Sequence, residues 1–188
     1  MTRRFVLLDR DGTINEEVGY VRKAAELVLI PGAAEAVRSL RERGLGVVVI
    51  TNQSPVGRGW ITEPELDRIH EHLRRLLRDA GADVDGIEHC PHPPDAGCDC
   101  RKPATGLVVR AARTYGFDPT EAFVVGDHAS DMALGRGIGA RTILVRTGHG
   151  EQELARGAGE LADHVVADLT AAARVIADEV PAEAEAPR

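Results

Sequence analysis

Short, uninterrupted apolar runs alternate with helical patterns along this chain, and that alternation limits its fold more than any other feature. FVLL (5–8), GVVVIT (46–51), GIEHC (86–90), AFVVGD (122–127), RTILVR (141–146) and HVVADL (164–169) read as strands. Runs without polar interruption suit strands covered on both faces, as in a parallel sheet flanked by helices. Between them, PGAAEAVRSLRERG (31–44) places Ala33, Ala34, Val37 and Leu40 on one helical face. TEPELDRIHEHLRRLLRDAG (62–81) opens on Thr62 and Glu65, a capping-box pair, and carries the stripe Leu66, Ile69, Leu73 and Leu77. TGLVVRAARTYG (105–116) ends at Gly116, a helix stop. The expectation is α/β: a doubly wound, mostly parallel sheet. The length suits one domain, taken as residues 1–178, with a frayed tail at 179–188. Only one helix fits between the first two strands, which leaves no room for a separate cap domain.

Composition narrows the function classes. A net charge of −7 and only 3% aromatic residues argue against a nucleic-acid channel or an anionic membrane surface. The N-terminal apolar run FVLL is too short for a signal peptide or a membrane span. A cytoplasmic monomer acting on a small molecule is expected, with neither nucleic acid nor membrane as partner.

Ligands of such sheets bind beyond the carboxyl ends of the strands. The segments there are DRDGT, TNQS, the RKP that follows a cysteine-containing loop, and GDHASD. Asp9 and Asp11 are spaced i, i+2, so in extended chain both carboxylates face one spot and Arg10 faces away. Asp127 and Asp131 end another run, Thr51 and Asn52 a third. Converging carboxylates repel each other and call for a cation, and an all-oxygen set suits Mg²⁺. A carboxylate is also a competent nucleophile toward phosphorus. Of 23 basic residues only Lys23 and Lys102 are lysines, so a lysine at a strand end with these carboxylates is expected to answer a chemical need, with chance as the alternative.

All three cysteines lie in CPHPPDAGCDCRKP (90–103). Cys90 and His92, then Cys98 and Cys100, offer three sulfurs and one imidazole, a full tetrahedral set for zinc with no open position. A disulfide would leave one thiol over, and buried core cysteines sit in apolar runs rather than among Pro, Asp and Gly. The zinc is therefore expected to be structural, ordering a loop that lacks a core of its own. Cys100 directly precedes Arg101 and Lys102, so an ordered loop would aim both cations at the site.

DRDGT, TNQS, the lysine of CRKP and GDHASD, in that order, resemble the four motifs of the haloacid-dehalogenase-like phosphatases. The cysteine loop is similar to that of the zinc-loop branch, which holds heptose-bisphosphate and histidinol-phosphate phosphatases; the heptose group matches better. The resemblance runs from about residue 4 to residue 150. It implies a Mg²⁺-dependent phosphatase of a sugar bisphosphate working through an aspartyl-phosphate. By it, Asp9 is the nucleophile. Asp11 protonates the leaving oxygen and then activates water. Thr51 and Lys102 hold the phosphoryl oxygens. Mg²⁺ sits on the Asp9 carboxylate, the Asp11 carbonyl and Asp127, while Asp131 supports this shell. Substrate contacts would come from Glu17, Val18, Gly19, Tyr20, Asn52, Gln53, Ser54, Arg101 and His128. Two residues depart from the pattern: Pro55 stands where glycine is usual and His128 where lysine is common. A non-catalytic zinc-stabilised binding domain is the contrasting expectation; it would lack at least one of Asp9, Asp11, Lys102 or Asp127, and all four are present.

Overall fold

The chain builds a six-stranded, all-parallel sheet, seen in a computed structural model that describes residues 3–180. The strands are β1 (Phe5–Leu8), β2 (Gly46–Asn52), β3 (Gly86–Cys90), β4 (Phe123–Gly126), β5 (Arg141–Val145) and β6 (His164–Val166). Their spatial order is β3-β2-β1-β4-β5-β6. The chain winds outward from β1 in one direction and outward from β4 in the other. The sheet therefore has its switch point between β1 and β4, where Val6 registers with Phe123 and Leu8 with Val125. A crevice opens at the carboxyl ends of the strands flanking such a switch. Asp9 and Asp127 each directly follow one of those two strands.

Among the described residues seven α-helices cover the sheet: α1 (Ala33–Glu42), α2 (Ser54–Gly57), α3 (Glu63–Asp79), α4 (Gly106–Tyr115), α5 (Ala129–Ile138), α6 (Gly150–Ala155) and α7 (Leu169–Glu179). The two-residue period of the strands divides the core between the faces. Val6 and Leu8 of β1, with Val47 and Val49 of β2, pack under α1, α3 and α7. Phe5 and Leu7, with Val48 and Ile50, pack on the other face against Leu107 and Val108 of α4 and Leu134 of α5. The apolar runs are continuous because both faces of these strands are buried.

The element boundaries show where local chemistry cut the expected runs short. Helix α1 begins at Ala33, because Gly32 turns with φ 83° just before it. The 164–169 run yields only three strand residues: the Asp168 carboxylate accepts the Ala171 N–H at 2.8 Å and starts α7. The capping pair of α3 forms, with Thr62 N–H donating to Glu65 at 2.7 Å. Glu179, the first residue of the expected tail, closes α7 and meets Arg141 at 3.3 Å and His164 at 3.2 Å. The rest of that tail, from residue 181, lies outside the described residues. Among those described, no second domain interrupts the sheet, and no helix is long and apolar enough to cross a membrane.

The α3 stripe tests this packing away from the strand ends. Leu73 is fully buried between α3 and the sheet. Leu73→Ala should lower the unfolding free energy by about 2–5 kcal/mol, read from urea denaturation, with enzymatic constants unchanged.

Candidate active site and zinc loop

Four strand ends supply the floor of a single cleft. Its lining includes Asp9 and Asp11 after β1, Thr51 and Asn52 at the end of β2, Arg101 and Lys102 beyond β3, and Asp127 and His128 after β4. The cleft holds about 150 Å³. That is well below the roughly 300–1,000 Å³ of pockets that enclose a whole small molecule.

Lys102 organises the floor. Its side chain is buried, and Nζ lies 2.8 Å from Asp9 Oδ1 and 2.6 Å from Asp131 Oδ1. Burial alone would favour the neutral amine; Asp131 and Asp9 more than offset this and hold the ammonium above its ordinary range. Asn52 fixes the Lys102 backbone from both sides: Lys102 N–H donates to Asn52 Oδ1 at 3.0 Å, and Asn52 Nδ2 donates to the Lys102 carbonyl at 3.3 Å. Asn52 lines the cleft, as expected of a substrate contact, but its amide is already engaged in placing the lysine.

Asp9 and Asp127 are left facing one another with less compensation. Burial, then the neighbouring carboxylates, push Asp127 up to about 8. Asp9 is pushed up to about 7 by burial and by Asp131 and Asp11, against the pull of Lys102. Carboxylate oxygens of Asp9, Asp127 and Asp131 all lie within 4.8 Å of one another. Asp131 is committed elsewhere: Oδ1 meets Lys102 and Oδ2 accepts the His128 N–H at 3.1 Å, capping α5. Gly126 makes room for it, since a Cβ there would meet its carboxylate at 2.3 Å. The oxygens open to a cation are thus those of Asp9 and Asp127, and this buried excess of negative charge fits a hard ion such as Mg²⁺. Asp127 is held tightly. Its Oδ2 accepts the His149 N–H at 2.7 Å, and a Cβ on Gly12 or Gly148 would fall 2.0 or 2.1 Å from that oxygen.

Asp11 is in a different environment, and Arg10 is the reason. The i, i+2 spacing predicts that Arg10 faces away; instead it is fully buried and folds back onto Asp11, with Nη2 at 2.8 Å from Oδ2. β1 ends at Leu8, so the chain is already turning at Arg10 and strand alternation no longer applies. Asn15 Nδ2 donates to Asp11 at 2.9 Å, and Gln53 Nε2 donates to both Asp11 at 2.9 Å and Thr51 Oγ1 at 2.8 Å. Burial opposes ionisation of Asp11, yet Arg10 and these hydrogen bonds hold it below the usual carboxylate range.

Of the remaining sequence candidates, Glu17, Gly19, Tyr20, Gln53, Arg101 and His128 line the cleft, whereas Val18 and Ser54 do not. Ser54 is buried at the start of α2, where its carbonyl accepts the Arg58 N–H. Val18 is exposed on a neighbouring groove. Two lining residues were not foreseen, Ser130 and His149. The GHG turn containing His149 follows the fifth apolar run, beyond the four strand ends expected to carry the site.

The cysteine loop gathers its four donors. Cys100 Sγ lies 3.1 Å from Cys90 Sγ, 3.6 Å from Cys98 Sγ and 3.2 Å from His92 Nδ1. These separations exceed a disulfide bond of about 2.05 Å. They approach the edges of about 3.8 Å expected for a tetrahedron with metal–sulfur bonds near 2.3 Å. Cys98 is lowered to about 6 by backbone N–H groups of Arg101 and Cys100, against the effect of burial. A thiolate held by amides is what a zinc site requires. Cys90 and Cys100 also pack into the core beside Leu107, so the loop borrows part of the main core rather than lacking one. The loop reaches the second strand end as well: Gly57 N–H donates to the Pro91 carbonyl at 2.8 Å.

Comparison with known proteins agrees with this geometry. A family model described as "HAD-hyrolase-like" matches residues 99–172. The D-glycero-beta-D-manno-heptose-1,7-bisphosphate 7-phosphatase of Pseudomonas putida is 39% identical over 91% of this chain and 98% of its own length. That of Photorhabdus laumondii is 40% identical, over 91% of this chain and 95% of its own. The crystal structure of D,D-heptose 1,7-bisphosphate phosphatase from B. bronchiseptica, complexed with magnesium and phosphate, superposes with a TM-score of 0.88. It is 36% identical, covering 94% of this chain and 99% of that one.

Two measurements test the two metal sites. Protons and Mg²⁺ compete for Asp9 and Asp127, whose raised values near 7 and 8 put the competition close to neutrality. Mg²⁺ affinity by calorimetry should weaken as pH falls from about 8 to about 6, by about tenfold per pH unit for each proton displaced. A pH-independent affinity would exclude these carboxylates as the ligands. Cys98→Ser should leave a folded sheet by circular dichroism, no zinc by elemental analysis, and a large fall in kcat/KM that Mg²⁺ does not restore. Full activity in a zinc-free variant would break the link from loop to Lys102.

Proposed function

The chain belongs to the HAD-like phosphatases, within the heptose-bisphosphate phosphatase family, and from that premise we propose that it hydrolyses the 7-phosphate of D-glycero-β-D-manno-heptose 1,7-bisphosphate. The observation that carries this reading is the buried Lys102 ammonium bridging Asp9 and Asp131 opposite Asp127, at the floor of an open cleft. A non-catalytic binding domain has no use for a buried charge cluster of this cost.

In this reading Asp9 attacks phosphorus and takes the phosphoryl group. Lys102 and the Arg10 N–H, which donates to Asp9 Oδ1 at 2.7 Å, orient the nucleophile. Thr51 Oγ1, bound by Gln53, and Lys102 hold the transferred oxygens. Asp9 and Asp127 would hold Mg²⁺, which would offset charge that otherwise repels an anionic phosphate. Asp11 gives its proton to the departing sugar oxygen and then removes one from water. Its contacts to Arg10, Asn15 and Gln53 favour the ionised state of the second half-reaction, so the first half requires that it take up a proton beside the bound ester. Cys90, His92, Cys98 and Cys100 would hold zinc, which would order the loop and keep Arg101 and Lys102 in place. The same reading makes the protein a cytoplasmic monomer whose partner is one small phosphorylated sugar.

Asp9→Asn should reduce turnover to background while the fold and zinc content persist. A phosphate-release panel of both heptose bisphosphate anomers, histidinol phosphate and fructose 1,6-bisphosphate checks the substrate. The β-heptose ester should have the highest kcat/KM; the highest value for histidinol phosphate would overturn the proposal.

A further inference from the structure

Helix α3 carries one residue that its apolar stripe does not explain. From Leu66, the spacing i, i+3, i+4, i+7 selects Ile69, His70 and Leu73, and all four are buried. A leucine at position 70 would complete the stripe; the histidine instead takes a polar ring into the core. Its Nε2 has no hydrogen-bond partner among the described residues. Burial, then the Arg10 guanidinium, push the ring down to about 3, so His70 is neutral.

Arg10 has the matching defect. Its side chain is fully buried and grips Asp11 with two of its nitrogens. Nε donates to Oδ1 at 3.2 Å, and Nη2 lies 3.0 Å from Oδ1 and 2.8 Å from Oδ2. Nη1 is left without a partner among the described residues. Asn15 donates through Nδ2 to the same Asp11 Oδ1 at 2.9 Å, and its own Oδ1 is likewise unpartnered. A guanidinium can only donate, so the group that completes it must accept; a neutral imidazole nitrogen accepts and a protonated one cannot. Of the charges around the His70 ring, Arg10 acts on it most strongly, ahead of His89, Asp11 and Arg74, which sets the ring beside the guanidinium. One buried water that takes the Nη1 hydrogen and donates to His70 Nε2 and Asn15 Oδ1 would satisfy all three atoms. The ring itself is seated against its neighbours. It lies 5.4 Å from the ring of His89 on β3, whose Nε2 is 3.0 Å from Glu63 at the start of α3.

We propose that His70 is a positioning residue for the reaction: it completes the hydrogen bonding of Arg10, and Arg10 in turn holds the Asp11 carboxyl at the angle from which it meets the leaving oxygen. This rests on the proton-transfer role given to Asp11 above and goes beyond it, because it extends the working site to α3, which contributes nothing to the cleft lining. Without the acceptor, the guanidinium turns to satisfy Nη1 elsewhere and Asp11 shifts with it. A displacement of about an ångström can cost about 100-fold in rate.

Leaving groups separate a positioning role from a packing role. A departing alkoxide needs a proton and p-nitrophenolate does not, and kcat/KM reports the step in which either leaves. The assay uses p-nitrophenyl phosphate and whichever alkyl phosphate the wild type hydrolyses best. His70→Phe keeps a ring and removes the acceptor. It should lower kcat/KM about tenfold on the alkyl ester and less than twofold on p-nitrophenyl phosphate, with circular dichroism and zinc content unchanged. His70→Leu, which continues the apolar stripe, should do the same and serves if the larger ring disturbs the fold. His70→Gln restores an acceptor and should recover most of the loss. In an Asp11→Asn background His70→Phe should cost nothing further, since both act through one group. Equal losses on the two esters, no loss on the alkyl ester, no recovery in His70→Gln, or an additive loss in the double variant would each overturn the role of His70. The two readings fail differently. Asp11→Asn that loses activity equally on both esters would overturn proton transfer by Asp11. Asp11→Asn selective for the alkyl ester, beside an unselective His70→Phe, would overturn the positioning role alone.

Discussion

Everything in the cleft depends on one buried ammonium. Lys102 Nζ holds Asp9 and Asp131 at ion-pair distance inside the protein, where an uncompensated carboxylate is expensive. The compensation is incomplete: three converging carboxylates share one cation, and the residual charge lies on Asp9 and Asp127. That residue of charge makes the site receptive to a divalent ion and, once the ion is bound, to a phosphate. A longer or wider cation at position 102 would not fit between the two carboxylates, which accounts for a lysine in a chain that otherwise uses arginine almost throughout.

The zinc loop is best understood as part of how that ammonium is placed. Position 102 follows the last strand of one half of the sheet, β3, by a dozen residues rich in Pro, Asp and Gly. A segment of this kind has no helix or strand to hold it. The four donors of Cys90, His92, Cys98 and Cys100 tie its two ends together, and Asn52 clamps its last turn from the neighbouring strand. Gly57 joins the loop to α2, and α2 leads directly to Arg58 and Trp60. Catalytic floor, zinc loop and aromatic rim are thus mechanically continuous.

Asp9 and Asp11 show how two carboxylates two residues apart acquire opposite tendencies. Asp9 faces other carboxylates and is raised; Asp11 faces Arg10, Asn15 and Gln53 and is lowered. In the proposed mechanism the first makes the attack on phosphorus and the second moves the proton. The motif DRDG indicates two acids but not this difference, because the groups that separate them include Gln53 just beyond β2, Lys102 beyond β3 and Asp131 in α5.

What the chain alone determined was set by local periodicity and by residue chemistry. The doubly wound sheet followed from apolar runs too continuous for half-exposed strands. The catalytic candidates followed from polar residues at strand ends, and the zinc set from four donors that have no other use. The folded structure decided which candidates point inward, and the reason is that direction at a strand end is no longer governed by a two-residue period. Arg10 turns in where alternation sent it out. Val18 and Ser54 fall outside the cleft, and Asn52 serves Lys102. His149 enters from a fifth strand end, and Trp60 gathers Arg22 and Arg58, 36 positions apart in the chain, only because Tyr20 and the α2 turn meet at the rim. Such encounters between segments distant in the chain are set by how the sheet winds, and no window of sequence contains them.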